Sequence, residues 1–218
     1  MANSGHGEGQ WDIHHLIQLV RDRLGTLDGN SEPNGHCSLR RSGPSDSCSI
    51  RRKRFATALF DLAIDSKLRG CDLVKVKIGD LVAGGRVRNR AMVIQQKTKR
   101  PVQFELLEPA RSTILAWLER RGGGLDEFAF PSRVDRSDHM STRQYARLVD
   151  EWVTGIGLRR EDYGTHSLRR TKAALIYKQT GNLRAVQILL GHTKIERIVR
   201  YLGVDIEDAL ALAEGTEI

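Results

Sequence analysis

Between Thr165 and Tyr201 the chain reads THSLRRTKAALIYKQTGNLRAVQILLGHTKIERIVRY, which gathers two histidines, several arginines and two tyrosines onto short helical segments. His166 and Arg169 are three residues apart, a spacing that puts both side chains on one face of a helix. After a Gly-Asn break, a second apolar helix ends at Gly191-His192, and Tyr201 follows His192 by nine residues. A phenol, imidazoles and guanidinium groups are the parts needed to cleave a phosphodiester without a metal or ATP. The phenol attacks phosphorus, cations stabilise the added negative charge, and a proton donor serves the departing hydroxyl. Arginine suits the second task because its planar fork grips phosphate oxygens in pairs. Each residue also has an ordinary reading. A lone Arg169 is a solvated helix charge, as expected for Arg170 and Lys172 beside it. A lone Gly191-His192 is a helix C-cap, and a lone Tyr201 packs like Tyr145, Tyr163 or Tyr177.

The elements that must position these groups come earlier in the chain. Residues 1–10 are rich in Gly and Ser, and Trp11 to Leu24 carries apolar residues at helical spacing, predicting one short amphipathic helix. Gly25 to Ser49, with Pro33 and Pro44, reads as a long loop or linker. From Phe55, FATALFDLAIDSKL is a dense apolar helix running into Arg69-Gly-Cys-Asp72, where arginine and glycine suit a helix end. Leu73 to Ile78 alternates like a strand, Gly84-Gly85 supplies a turn, and Arg86 to Gln96 and Arg100 to Leu107 read as two more strands. Their connection, Lys97-Thr98-Lys99, is a basic hairpin tip. Pro109 opens a helix that ends at Gly122 and points Ile114, Leu115, Trp117 and Leu118 inward. Ser141 caps another helix reaching about Gly155, and residues 165–213 form three or four more. The expected fold is mainly α with a small three-stranded antiparallel sheet, an α+β domain.

At 218 residues the chain can bury one good-sized core. Its formal charge of +8 and isoelectric point near 9.7 favour a polyanionic partner. The cations cluster at Arg40, Arg41 and Arg51 to Arg54, and again at Arg86, Arg88, Arg90, Lys97, Lys99 and Arg100. The end of the chain is acidic, with Asp205, Glu207, Asp208, Glu214 and Glu217. Cys37, Cys48 and Cys71 make neither a C-x-x-C pair nor an even set, and no secretory leader is visible, so a reducing cytoplasm is the expected location. His14, His15 and His36 lack a second ligand cluster at metal-site spacing, so no metal is expected. No apolar run reaches membrane-spanning length.

H-x-x-R at His166 to Arg169, L-G-H at Leu190 to His192 and the nine-residue step to Tyr201 resemble the C-terminal signature of the tyrosine recombinase (phage integrase) family. The resemblance covers about residues 54–213. It implies the catalytic core shared with type IB topoisomerases and a DNA strand transfer through a covalent 3′-phosphotyrosine, with no cofactor. It implies roles as well. Tyr201 is the nucleophile, Arg169 the second phosphate clamp, His166 the proton-transfer histidine and His192 a donor to the scissile phosphate. Lys67-Leu68-Arg69-Gly70-Cys71-Asp72 matches the family's G-L-R-x-x-E turn, with lysine for glycine and aspartate for glutamate. That match makes Arg69 the first clamp and Asp72 its support. The hairpin lysine, Lys97 or alternatively Lys99, is the general acid. Residues 1–53 are too few and too loop-like for the family's core-binding domain, which leaves 54–218 as the catalytic domain. The expected partners are double-stranded DNA and further copies of the chain on DNA, the latter through an amphipathic tail at 204–213. The same resemblance admits type IB relaxation, or a non-cleaving DNA-binding remnant of a mobile element. Integration, excision, resolution and inversion share this chemistry.

Overall fold

Helix α2 (Pro44–Ser66) is the axis of the molecule, because from Ala58 through Leu68 every residue is buried. A helix enclosed on all sides must be apolar or have its polar groups paired. Here Ala58, Leu59, Phe60, Leu62, Ala63 and Ile64 supply the apolar part. Each enclosed charge meets a different element. Asp61 accepts from Arg21 of α1 (Ile13–Gly25) at 2.7 Å and from the Thr113 hydroxyl of α5 (Ala110–Arg121) at 2.9 Å. Asp65 accepts from the backbone N–H of Leu107 and from Lys172 of α7 (Thr165–Thr180). The enclosed charges of α2 thus set the register of the layers around it.

The computed structural model describes residues 13–25 and 44–192. After α2 come α3 (Gly70–Leu73), α4 (Ile78–Leu81), β1 (Val82–Ala83), β2 (Arg86–Val87), β3 (Arg90–Ile94) and β4 (Pro101–Glu105). Then follow α5, α6 (Thr142–Gly155), α7 and α8 (Leu183–Leu190). The fold class is as expected, mainly helical with small antiparallel sheets. The strands form two separate pairs, β1 with β2 and β3 with β4, instead of one three-stranded sheet. The β3–β4 ladder matches Ala91 with Phe104 and Val93 with Val102, and turns at residues 95–100.

Leu73 to Ile78 is not a strand. Val74, Val76 and Ile78 are buried while Lys77 is exposed, as alternation requires, but Leu73 is buried as well. The backbone, however, closes helical bonds from Leu73 N–H to Arg69 O and from Val74 N–H to Gly70 O. Lys77 makes one bridge to Phe128 before Asp80 accepts its N–H and α4 begins. A six-residue apolar alternation does not separate a strand from a helical turn followed by an extended residue.

The core runs from α2 to α5 and α6. Phe55 meets Trp117 and Phe130 edge-on at 5.1 and 5.6 Å, and Phe60 meets Trp152 at 5.5 Å. Each such side chain fully buried contributes about 1.5–3 kcal/mol. Ser141 caps α6 in a reciprocal pair with Gln144. Leu115, expected to point inward, is 39% exposed. Ile17 and Val20 of α1 belong to this same core, and α2 starts at Pro44, so one helix runs through the boundary suggested at residues 53 and 54. A smaller cluster of Ala173, Val186 and Leu190 joins α7 to α8. No helix among the described residues is long and apolar enough to cross a membrane.

Candidate active site

Arg69 sits where α2 gives way to α3. Its extended backbone (φ −68°, ψ 149°) lets its carbonyl accept from the N–H groups of Asp72 and Leu73, which starts α3. Its Nη1 donates to Oε1 of Gln95 at 2.6 Å. The Asp72 carboxylate, expected to orient Arg69, stands 4.0 Å from Nη1, while its other oxygen accepts the Gln96 N–H at 2.8 Å. Asp72 therefore ties the arginine turn to the start of the hairpin, and Gln95 makes the direct contact with the guanidinium.

Helix α7 starts beyond Gly164, whose N–H bonds to the Ser167 hydroxyl. His166 is exposed in the first turn, whereas Arg169, one turn on, is 2% exposed. Arg169 Nη2 donates to the Leu190 carbonyl at 2.7 Å and lies 3.4 Å from Nε2 of His192. Arginine cannot accept a hydrogen bond, so this contact is attractive only when Nε2 carries the lone pair and Nδ1 the proton. Helix α7 ends at Gly181 in the left-handed conformation, Asn182 caps α8 through Ala185 N–H, and Gly191 (φ 63°) stops α8 and turns His192 back toward Arg169. The Gly-Asn and Gly-His pairs thus act as helix punctuation, and the second also brings the imidazole to the guanidinium.

The hairpin lysines differ in backbone but not in exposure. Lys97 and Lys99 are both exposed at the tip, and Lys99 takes φ 55° and donates its N–H to the Gln95 carbonyl to close the turn. Arg69, Arg169 and His192 are thus brought into one bonded group, with the hairpin base attached and His166 one turn from Arg169. Tyr201 and the tail at 204–213 lie outside the described residues, as do His36 and Cys37.

Sequence reasoning missed three supporting residues. Lys172, expected to be solvated, pairs with Asp65 at 2.7 Å and Glu105 at 2.8 Å. Lys67, where the family has glycine, adopts a left-handed φ of 54° and is itself buried, donating to the Asp65 carbonyl and to Glu105. Burial pushes the Lys67 ammonium below its usual range against the pull of Glu105. Burial alone would raise the Glu105 carboxyl, but the charge of Lys67 and the bonds from both lysines hold it below the usual value. Gln95 is the third. The signal for it was a glutamine at the inward position of a strand whose other inward residues, Ala91 and Val93, are apolar.

The sequence profile of the phage integrase family matches residues 44–207. A probable integrase/recombinase of Bacillus subtilis, YoeC, is 27% identical over 67% of this chain and 76% of its own length. Tyrosine recombinase XerC of Chromobacterium violaceum is 27% identical over 72% of this chain and 51% of its own. The chain therefore spans about half the length of that relative. Among solved structures, the XerH site-specific recombinase bound to difH substrate superposes with a TM-score of 0.64 at 18% identity, over 94% of this chain and 53% of XerH. That likeness is one of fold.

Proposed function

The chain belongs to the phage integrase family, and on that premise we propose that it is a site-specific recombinase. It breaks and rejoins double-stranded DNA through a 3′-phosphotyrosine on Tyr201. Its relatives and structural neighbours are tyrosine recombinases and integrases. The observation that carries the reading to this chain's own residues is the bonded path from Arg69 through Gln95 and the Leu190 carbonyl to Arg169. Two guanidinium groups a hundred residues apart in sequence are linked through one buried amide and one carbonyl, and this supports reading them as a joint phosphate clamp.

In the proposed reaction the Tyr201 oxygen attacks the scissile phosphorus, and the bond to O5′ breaks as the new bond forms. The phenolic proton passes to His166. Lys97, or Lys99 in its place, protonates the departing 5′ oxygen. Arg69 and Arg169 hold the non-bridging oxygens as negative charge grows, and His192 donates to one of them. Attack by a 5′-hydroxyl from a second strand reverses each transfer and returns the proton to Tyr201. The phosphodiester energy stays in the phosphotyrosine bond, so no cofactor is consumed. In this reading residues 54–218 carry the catalytic residues, α1 of the N-terminal segment 1–53 packs on the same core, and the tail at 204–213 contacts a neighbouring copy on DNA.

Nicked suicide duplexes drawn from the DNA flanking the gene test this, because loss of the short 5′-hydroxyl fragment traps the covalent adduct. Adduct should form with the unsubstituted chain and vanish in Tyr201→Phe, while DNA affinity changes little, since one hydroxyl is lost. An adduct that survives Tyr201→Phe overturns the nucleophile. Supercoil relaxation without recombinant product would mark type IB chemistry, and DNA binding without any adduct would mark a non-cleaving protein.

A further inference from the structure

Gln95 is fully buried at the base of the hairpin, yet every polar atom of its side chain is used. Oε1 accepts from Arg69 Nη1 at 2.6 Å and from the Thr98 hydroxyl at 2.9 Å, and Nε2 donates to the Leu190 carbonyl at 3.4 Å. The same Leu190 carbonyl accepts from Arg169 at 2.7 Å. One neutral side chain therefore touches the arginine turn, the loop that presents Lys97 and Lys99, and the helix end that presents His192. The fit is close on the helix side as well. A Cβ on Gly191 would stand 3.1 Å from Nε2 and 3.2 Å from Oε1, so glycine there allows α8 to approach the amide.

Resting on the recombinase reading above, we propose that Gln95 is a positioning residue of the reaction, holding Arg69 and the lysine hairpin in register with the Leu190–His192 turn. The task rests first on an acceptor facing Arg69 and the Thr98 hydroxyl, at 2.6 and 2.9 Å, with the longer 3.4 Å donation to the Leu190 carbonyl adding to it. A lysine or arginine would repel Arg69, and an apolar residue would leave the guanidinium and the Leu190 carbonyl without this partner. Arg69 is partly exposed, so without Gln95 its guanidinium swings toward water and loses the orientation that phosphate requires.

The test is the single-turnover rate of adduct formation at saturating nicked duplex, with DNA affinity measured on Tyr201→Phe versions and thermal unfolding measured on each variant. Gln95→Met keeps the length and removes the hydrogen bonds. It should slow adduct formation by about ten- to a hundredfold with little change in affinity. Gln95→Glu keeps the acceptor for Arg69 and Thr98 and should recover most of that loss. In an Arg69→Ala background, Gln95→Met should cost clearly less than in the unsubstituted chain, because its contact with Arg69 is already gone while those with Thr98 and Leu190 remain. Thr98→Val, on the half-buried loop, leaves Gln95 in place, removes one bond to its amide oxygen, and should slow the reaction about two- to tenfold.

The proposal is overturned by an unchanged rate in Gln95→Met or in Thr98→Val, by equal losses in both Arg69 backgrounds, or by a glutamate as poor as methionine. Should Gln95→Met unfold, the Thr98→Val rate decides. No adduct from the unsubstituted chain overturns the recombinase reading and this proposal with it, whereas adduct there with insensitive variants overturns the proposal alone.

Discussion

Arg169 shows how one residue serves structure and proposed chemistry together. Its burial against Leu190 and His192 fixes the guanidinium plane, so replacing it by lysine keeps the charge and removes the fork. Arg169→Lys is expected to lower the single-turnover cleavage rate by about 10²–10³-fold with little change in DNA affinity. A rate near that of the unsubstituted chain would remove Arg169 from the clamp. Gly191 is constrained in two ways, by its left-handed φ of 63° and by a Cβ position 2.7 Å from Val102 Cγ2. Gly181 has the same φ but open space around its Cβ position. Gly191→Ala should therefore cost at least about 1 kcal/mol in urea denaturation and more than Gly181→Ala, with the difference measuring the close approach.

At the scale of elements, the Asp65, Lys67, Glu105 and Lys172 cluster joins the end of α2, strand β4 and helix α7 behind the candidate site. The Glu105 carboxyl lies below its usual value of 4.5 because the two lysines outweigh the effect of burial. Its stabilising contribution is complete above that value and is lost as pH falls through the lower folded-state value. Thermal midpoints followed by circular dichroism from neutral pH to about pH 3 should fall more steeply for the unsubstituted chain than for Glu105→Gln. The variant should also be less stable at neutral pH, because the buried Lys67 loses its charged partner. Equal acid slopes would show that the cluster contributes nothing through Glu105.

For the whole molecule, the question is how the N-terminal helix is attached to the core. Arg21 reaches across to Asp61, which is fully buried and whose carboxyl is raised from 3.8 by burial, against the pull of Arg21. Removing the guanidinium leaves that carboxylate with Thr113 as its remaining side-chain partner. Arg21→Ala should cost about 3 kcal/mol at neutral pH. The sign of its pH dependence is opposite to that of Glu105. With Arg21 gone the folded carboxyl rises further, the folded state takes up a proton more readily than the unfolded chain, and the cost shrinks toward about pH 5. Urea denaturation at the two pH values measures this, and a cost independent of pH would show that Arg21 does not act through the Asp61 carboxylate.

The sequence by itself determined that the chain is mainly helical, where several helices stop or start, and the residue types of the candidate site, but it read residues 44–49 as loop where α2 already runs from Pro44. Ser141, Pro109, Gly122, Gly181 and Gly191 act locally, and H-x-x-R and L-G-H are short spacings that one helix or one turn can carry. It misjudged Leu73 to Ile78, where burial alternates without a sheet, and Lys172, whose partners are far away in sequence. The role of Tyr201 was read from the family resemblance, and the residue lies outside the described residues. Only the tertiary structure decided that Arg69 meets Gln95, that Gln95 and Arg169 share the Leu190 carbonyl, and that Lys67 turns its charge inward. The reason is physical. A cap or a helix face depends on neighbours a few residues away, whereas the pairing of a buried polar group depends on which elements the core brings together around it.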